Sequence, residues 1–176
     1  MVIYGVALIP LAESLRESVG NVQQAWYADD SAMAGTAWDI ATTMRKLLEW
    51  GPARGYYPEP SKSVIICNPQ VREAVQIILE DFNFEYHDGH RYLGGFIGTL
   101  GAKHEWLQPQ IQKWVKGIEA LARVAKRFPQ TAYAGMTRSF QMEWQYLQRV
   151  VPETEGVFDD IEKAITDTFL PALFAE

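Results

Sequence analysis

Two successive aspartates, Asp29-Asp30, stand between two short apolar runs, Val22 to Tyr27 and Ser31 to Ala34. Adjacent carboxylates repel each other, and a nearby cation relieves the repulsion. Hard divalent cations suit carboxylate oxygens, although an Asp-Asp pair serves equally as a solvated turn. The flanking runs narrow the local fold. Val22 to Tyr27 reads as a strand, Ser31 to Ala34 as its return, and Asp29-Asp30 as the tip of a hairpin. Alternation along the first strand sets Tyr27 and Asp29 on one face, with Ala28 and Asp30 pointing away.

The surroundings follow from periodicity and turn chemistry. Met1 to Ala12, extended to Leu15, reads as a core helix, with Val2, Ile3, Val6, Leu8, Leu11 and Leu15 forming a broad apolar surface. Thr36 is placed as the N-cap of a second helix, with Ile40, Ala41, Met44, Leu47 and Leu48 along one side, stopped by Gly51-Pro52. Gly55 to Pro60 is a loop, and Ser61-Lys62-Ser63 leads into a strand at Val64-Ile65-Ile66. A further amphipathic helix is expected from about Gln70 to Phe82, then a turn at His87-Asp88-Gly89-His90 and a strand from Arg91 to Ile97. The order helix, hairpin, helix, strand, helix, strand defines an α+β domain, an antiparallel sheet with helices on one face.

From about Glu105 the pattern is all-helical. Leu107, Trp114, Ile118, Leu121, Ala125 and Phe128 fall on one side of a helix, and Lys113, Lys116, Arg123 and Arg127 on the other. Such a charged face is most simply a solvated one, yet only Glu119 interrupts it, leaving it open to phosphates. Charge supports the division. Residues 1–100 carry a net −5, residues 101–149 a net +5 and residues 150–176 a net −6, within a total of −6. The overall acidity therefore does not exclude a polyanionic partner. Further helices are expected over Ala132 to Val150 and Gly156 to Phe174.

The single cysteine, Cys67, excludes an internal disulfide and a Cys-rich zinc site, and suits an intracellular setting, cytoplasm or nucleus. His87, His90 and His104 lack metal-ligand spacing. Trp26 and Trp38 are read as core residues. The N-terminal apolar run is too short to span a bilayer, so no membrane partner is expected.

In this order the elements resemble the palm of reverse transcriptases, RNA-directed DNA polymerases, particularly those of retrotransposons. Tyr27-Ala28-Asp29-Asp30 resembles the family's Tyr-x-Asp-Asp box. Val6 to Leu11 resembles the helix after its Gln-Gly-x-Pro-Leu element, and Gly55 to Lys62 the element whose lysine lies near the incoming triphosphate. Arg91-Tyr92-Leu93-Gly94-Gly95 resembles the hairpin that grips the primer. The resemblance implies a partial palm over residues 1–100 and a helical, thumb-like region over 101–176.

It further implies two-metal nucleotidyl transfer with Mg²⁺ or Mn²⁺, a primed RNA or DNA template and deoxynucleoside triphosphates. Asp29 would be the principal metal ligand, with Asp30 weaker or beyond the first ring of ligands. Lys62 would neutralise or protonate the leaving pyrophosphate. Tyr27, and Tyr92, Leu93, Gly94 and Gly95, would contact nucleic acid, as would Lys113, Lys116, Arg123 and Arg127. The family carries another metal-binding aspartate, and the fingers, upstream of the matched elements. The expectation is thus that these 176 residues do not polymerise efficiently by themselves. The rival expectation is a non-enzymatic nucleic-acid-binding or protein-interaction remnant of a retrotransposon.

Overall fold

The computed structural model describes residues 2–27, 30–154 and 156–174. Helices predominate, and the described strands form three separate two-stranded sheets, so the fold mixes α and β. The chain divides into two compact units, Met1–His87 and Asp88–Glu176.

In the first unit α1 (Val2–Ser18) leads to β1 (Gln23–Tyr27), β2 (Asp30–Ala34), α2 (Ala37–Trp50), β3 (Val64–Ile66), α3 (Arg72–Ile78) and β4 (Glu85–His87). Leu8, Leu11 and Leu15 of α1, at helical spacing, bury themselves with Leu47 and Tyr56, and Trp26 and Met33 pack on from the hairpin. The apolar surface of α1 is narrower than its composition implied. Ile3, Val6 and Ile9 are exposed, because they lie off the stripe of the three leucines. A second cluster joins Ala41, Leu79, Phe82 and Phe84, and Met44 packs against both.

Thr36 caps α2 as expected. Its hydroxyl oxygen accepts from the Asp39 amide at 3.2 Å and donates to the Asp39 carboxylate at 2.7 Å. Thr36→Ala removes both bonds and is expected to cost about 1 kcal/mol, read as a lowered urea midpoint at unchanged slope. Trp38, read as core, is exposed on the first turn of α2, half a helical turn round from the buried Leu47.

The expected single antiparallel sheet is absent among the described residues. β1 and β2 pair antiparallel, whereas β3 pairs with β4 in parallel, Val64 opposite Glu85 and Ile66 opposite His87. Antiparallel neighbours need only a tight turn, but a parallel pair needs a crossover. Here that crossover is α3, shorter than the expected Gln70–Phe82 helix and followed by a turn through Leu79.

The second unit opens with β5 (Gly89–Tyr92) and β6 (Gly95–Gly98), an antiparallel hairpin where one strand was expected. Leu93 and Gly94 reverse the chain with φ of 47° and 81°, both positive as a type I′ turn requires. The units divide ahead of residue 100 because the hairpin's Phe96 belongs to the helical core. It is buried with Leu107 and Ile111 and stacks on Trp106, centroids 5.1 Å apart and planes at 20°.

Next comes α4 (Leu100–Ala125), whose buried stripe is Lys103, Leu107, Ile111, Trp114, Ile118, Ala122 and Ala125. Leu121 is only partly buried and Phe128 lies exposed beyond the helix end, so neither belongs to the stripe as expected. Lys103 enters it because its ammonium donates to the Pro152 carbonyl at 2.6 Å, with the Glu153 carboxylate at 3.5 Å.

The rest of the unit comprises α5 (Pro129–Gly135), α6 (Gln141–Val150), α7 (Asp159–Lys163) and α8 (Leu170–Phe174). A π-helical turn at Met136–Phe140 joins α5 to α6, and another at Ala164–Phe169 joins α7 to α8. Ala132, Met136, Phe140 and Trp144 all reach the core at four-residue steps. Each such step overshoots a regular α-helical turn by about 40°, and the wider π turn absorbs the accumulated drift.

Candidate functional site

The first group of candidate residues lies on the β1–β2 hairpin. Its register pairs Gln24 with Met33, Trp26 with Ser31, and Tyr27 with Asp30. Residues directly opposite in an antiparallel pair project from the same face. Gln24, Trp26, Ser31 and Met33 therefore share the face turned to the core, and Tyr27 and Asp30 share the solvent face. This corrects the expected separation of Tyr27 from Asp30, which treated the segment as one strand. The chain reverses between them, and reversal restores the shared face. Ala28 and Asp29, the centre of the box and its principal expected ligand, lie outside the described residues.

Tyr56 helps fix the hairpin to its unit, beside the packing of Trp26 and Met33. Tyr56 is buried between α1 and the hairpin, its ring edge-on to Trp26 at 5.4 Å and 66°. Its hydroxyl shares a 2.8 Å hydrogen bond with the Ser31 hydroxyl. Trp26 and Ser31 face each other one step from the Tyr27–Asp30 pair, so Tyr56 holds both strands near that pair. The Gly51 carbonyl accepts from the Tyr56 amide at 3.0 Å. A Cβ on Gly51 would stand 2.4 Å from the Tyr56 carbonyl oxygen, so only glycine admits this approach. The sequence marked Gly55 to Pro60 as a loop but not which of its two tyrosines is structural.

Lys62 ends a short 3₁₀ turn, Pro60–Lys62, with its amide on the Glu59 carbonyl at 3.0 Å. Its side chain is exposed, and among the described residues it forms no ion pair with Asp30. Farther along this unit, burial raises the Tyr86 phenol above its ordinary 10.0, and the neighbouring Cys67 adds to the effect.

The other candidates belong to the second unit. Tyr92 and Gly95 close the β5–β6 turn, and Leu93 and Gly94 form it. The Tyr146 hydroxyl donates to the Leu93 carbonyl at 3.1 Å, pinning the turn to α6. On α4, Lys113, Lys116 and Arg123 are exposed, about half a helical turn from the buried stripe; Arg127, expected on the same face, is exposed in the turn beyond the helix end at Ala125.

Among the described residues no group of three or more His, Cys, Asp or Glu side chains converges as a metal centre requires. Of the two aspartates of the box only Asp30 is described, and its carboxylate oxygens suit Mg²⁺ or Mn²⁺. Among the described residues, too, no helix is long and apolar enough to cross a membrane.

Comparison with known proteins adds no kinship: no family model, no curated protein and no solved structure matches this chain.

Proposed function

We propose that this chain is the C-terminal part of a reverse transcriptase of retrotransposon type, a partial palm followed by a thumb-like helical region, working inside the cell. The observation that supports it most is the hairpin register, which centres the Tyr27–Asp30 box on a chain reversal and presents Tyr27 and Asp30 together to solvent. The lysine turn and the Tyr92–Gly95 hairpin follow in the order the polymerase palm requires. In this reading Asp29 and Asp30 are the chain's share of a carboxylate set for Mg²⁺ or Mn²⁺, completed by an upstream palm segment. Lys62 faces the triphosphate, Tyr27 and the Tyr92–Gly95 turn hold the primer, and the basic face of α4 follows the duplex backbone.

Primer extension tests it. Extension of a DNA primer on an RNA template, with an upstream reverse-transcriptase palm segment supplied alongside the chain, should require Mg²⁺ and fall to background in Asp29→Ala. Persistence of incorporation in that variant would sink the proposal.

The exposed basic face of α4 favours one rival, a nucleic-acid-binding remnant without chemistry. That protein would bind nucleic acid in a salt-sensitive way. Charge reversal at Lys116 and Arg123 would then weaken binding and flatten the salt slope, while Asp29→Ala would have no effect.

A further inference from the structure

Two aromatic rings of the first unit, Tyr27 and Tyr57, serve no core. Tyr27 is 59% exposed on the solvent face. Tyr57 is 74% exposed, although the preceding residue, Tyr56, is buried against the opposite face of the same hairpin end. Consecutive Cα atoms are about 3.8 Å apart, so the burial of Tyr56 fixes where Tyr57 stands.

A single exposed aromatic is ordinary. What distinguishes Tyr57 is its loop. The backbone is braced at Gly51–Tyr56 and at Pro60–Ser63 by hydrogen bonds of 2.9–3.0 Å. Pro58 and Pro60 restrict the segment between, so the ring is presented with little conformational freedom left to lose. Two exposed cations, Arg54 and Lys62, flank it in sequence. The Arg54 guanidinium reaches only the Trp50 carbonyl, at 3.4 Å, and Lys62 forms no ion pair among the described residues. The single acid of the loop, Glu59, accepts from the Ser61 hydroxyl at 2.9 Å and keeps its charge, so residues 54–62 remain net basic through Arg54 and Lys62. An aromatic ring held in a net basic loop offers stacking for a base and charge for a phosphate.

We infer that Tyr57 is a stacking platform for an unpaired base of a single-stranded nucleic acid, with Arg54 taking an adjoining phosphate. The inference deepens the polymerase reading and rests on it for the strand's identity, the template beside the hairpin.

Fluorescence anisotropy of a labelled oligothymidylate of about 12 nucleotides, titrated with the full chain at several salt concentrations, tests it. Tyr57→Ala should weaken binding about 5- to 150-fold with the salt slope unchanged. Tyr57→Phe should bind like the unsubstituted chain, because the ring and not the hydroxyl stacks. Arg54→Ala should instead flatten the slope by about one phosphate contact. Far-ultraviolet circular dichroism checks that each variant is folded. Equal affinity of Tyr57→Ala and the unsubstituted chain, or no binding by either, overturns the inference, and the polymerase proposal still stands or falls on Asp29. Weakened binding in Tyr57→Ala, with no Mg²⁺-dependent incorporation by any form, upholds the platform and overturns the polymerase reading.

Discussion

Tyr56→Ala should destabilise the first unit by about 3–5 kcal/mol, the usual cost of deleting a buried aromatic ring. Three losses combine in it. The ring leaves the cluster of Leu8, Leu11, Leu15 and Leu47. Its edge-on contact with Trp26 disappears, worth about 0.5–1.5 kcal/mol beyond burial. The hydrogen bond to Ser31 disappears too, worth about 1 kcal/mol. A domain with an overall margin of about 5–15 kcal/mol is left with little reserve. Tyr56→Phe separates the contributions, keeping the ring and removing the hydroxyl with its bond to Ser31. Urea unfolding gives the totals, and amide exchange at Gln24–Trp26 and Ser31–Met33 shows where the loss falls. Both strands should exchange faster in Tyr56→Ala. Unchanged exchange there would mean that Tyr56 does not hold the hairpin.

Trp114→Ala should cost the second unit a similar amount, about 3–5 kcal/mol. The indole is 3% exposed at the centre of the α4 stripe and meets Trp144 edge-on at 6.1 Å. Its Nε1–H donates to the Glu143 carboxylate at 2.7 Å. Glu143 is exposed, so it regains water once the indole is gone, and the penalty comes from the cavity. Trp114→Phe should therefore recover most of the stability. Calorimetry on the two variants decides this; if Phe is as damaging as Ala, the hydrogen bond outweighs the packing.

Much of the local structure was legible because local physics decides it. The Thr36 cap needs only a hydroxyl and the next turn's amide, and the α4 stripe needs only helical spacing. The β1–β2 hairpin needs two short strands and a polar reversal. What stayed hidden depended on partners distant in sequence or on backbone that side chains do not announce. β4 is Glu85-Tyr86-His87, too short and polar to declare itself without β3 beside it. The second hairpin turns at Leu93-Gly94 with a leucine at positive φ, where an asparagine or aspartate would have signalled a turn. Lys103 gave no sign of burial, because its partner is a backbone carbonyl 49 residues away.

At the candidate site the sequence named Tyr27, Asp30 and Lys62, but not the geometry that relates them. Period-two alternation holds along one strand and not around a turn, so Tyr27 and Asp30 were assigned to opposite faces. The alternation also could not separate Tyr56, the anchor, from Tyr57, the exposed neighbour. That distinction is set by Trp26 and Ser31, some 25 residues earlier in the chain.

The π-helical turn at Met136–Phe140 makes chain length there a matter of phase. Removing one residue would let α5 and α6 fuse into a regular α-helix with better local hydrogen bonding. Trp144 and Leu147 would keep their phase relative to Ala132, because a π turn is in effect one residue inserted into an α-helix. The segment thus tolerates the loss of one residue, whereas one more residue in a regular helix would rotate Trp144 and Leu147 by about 100°, off the buried side.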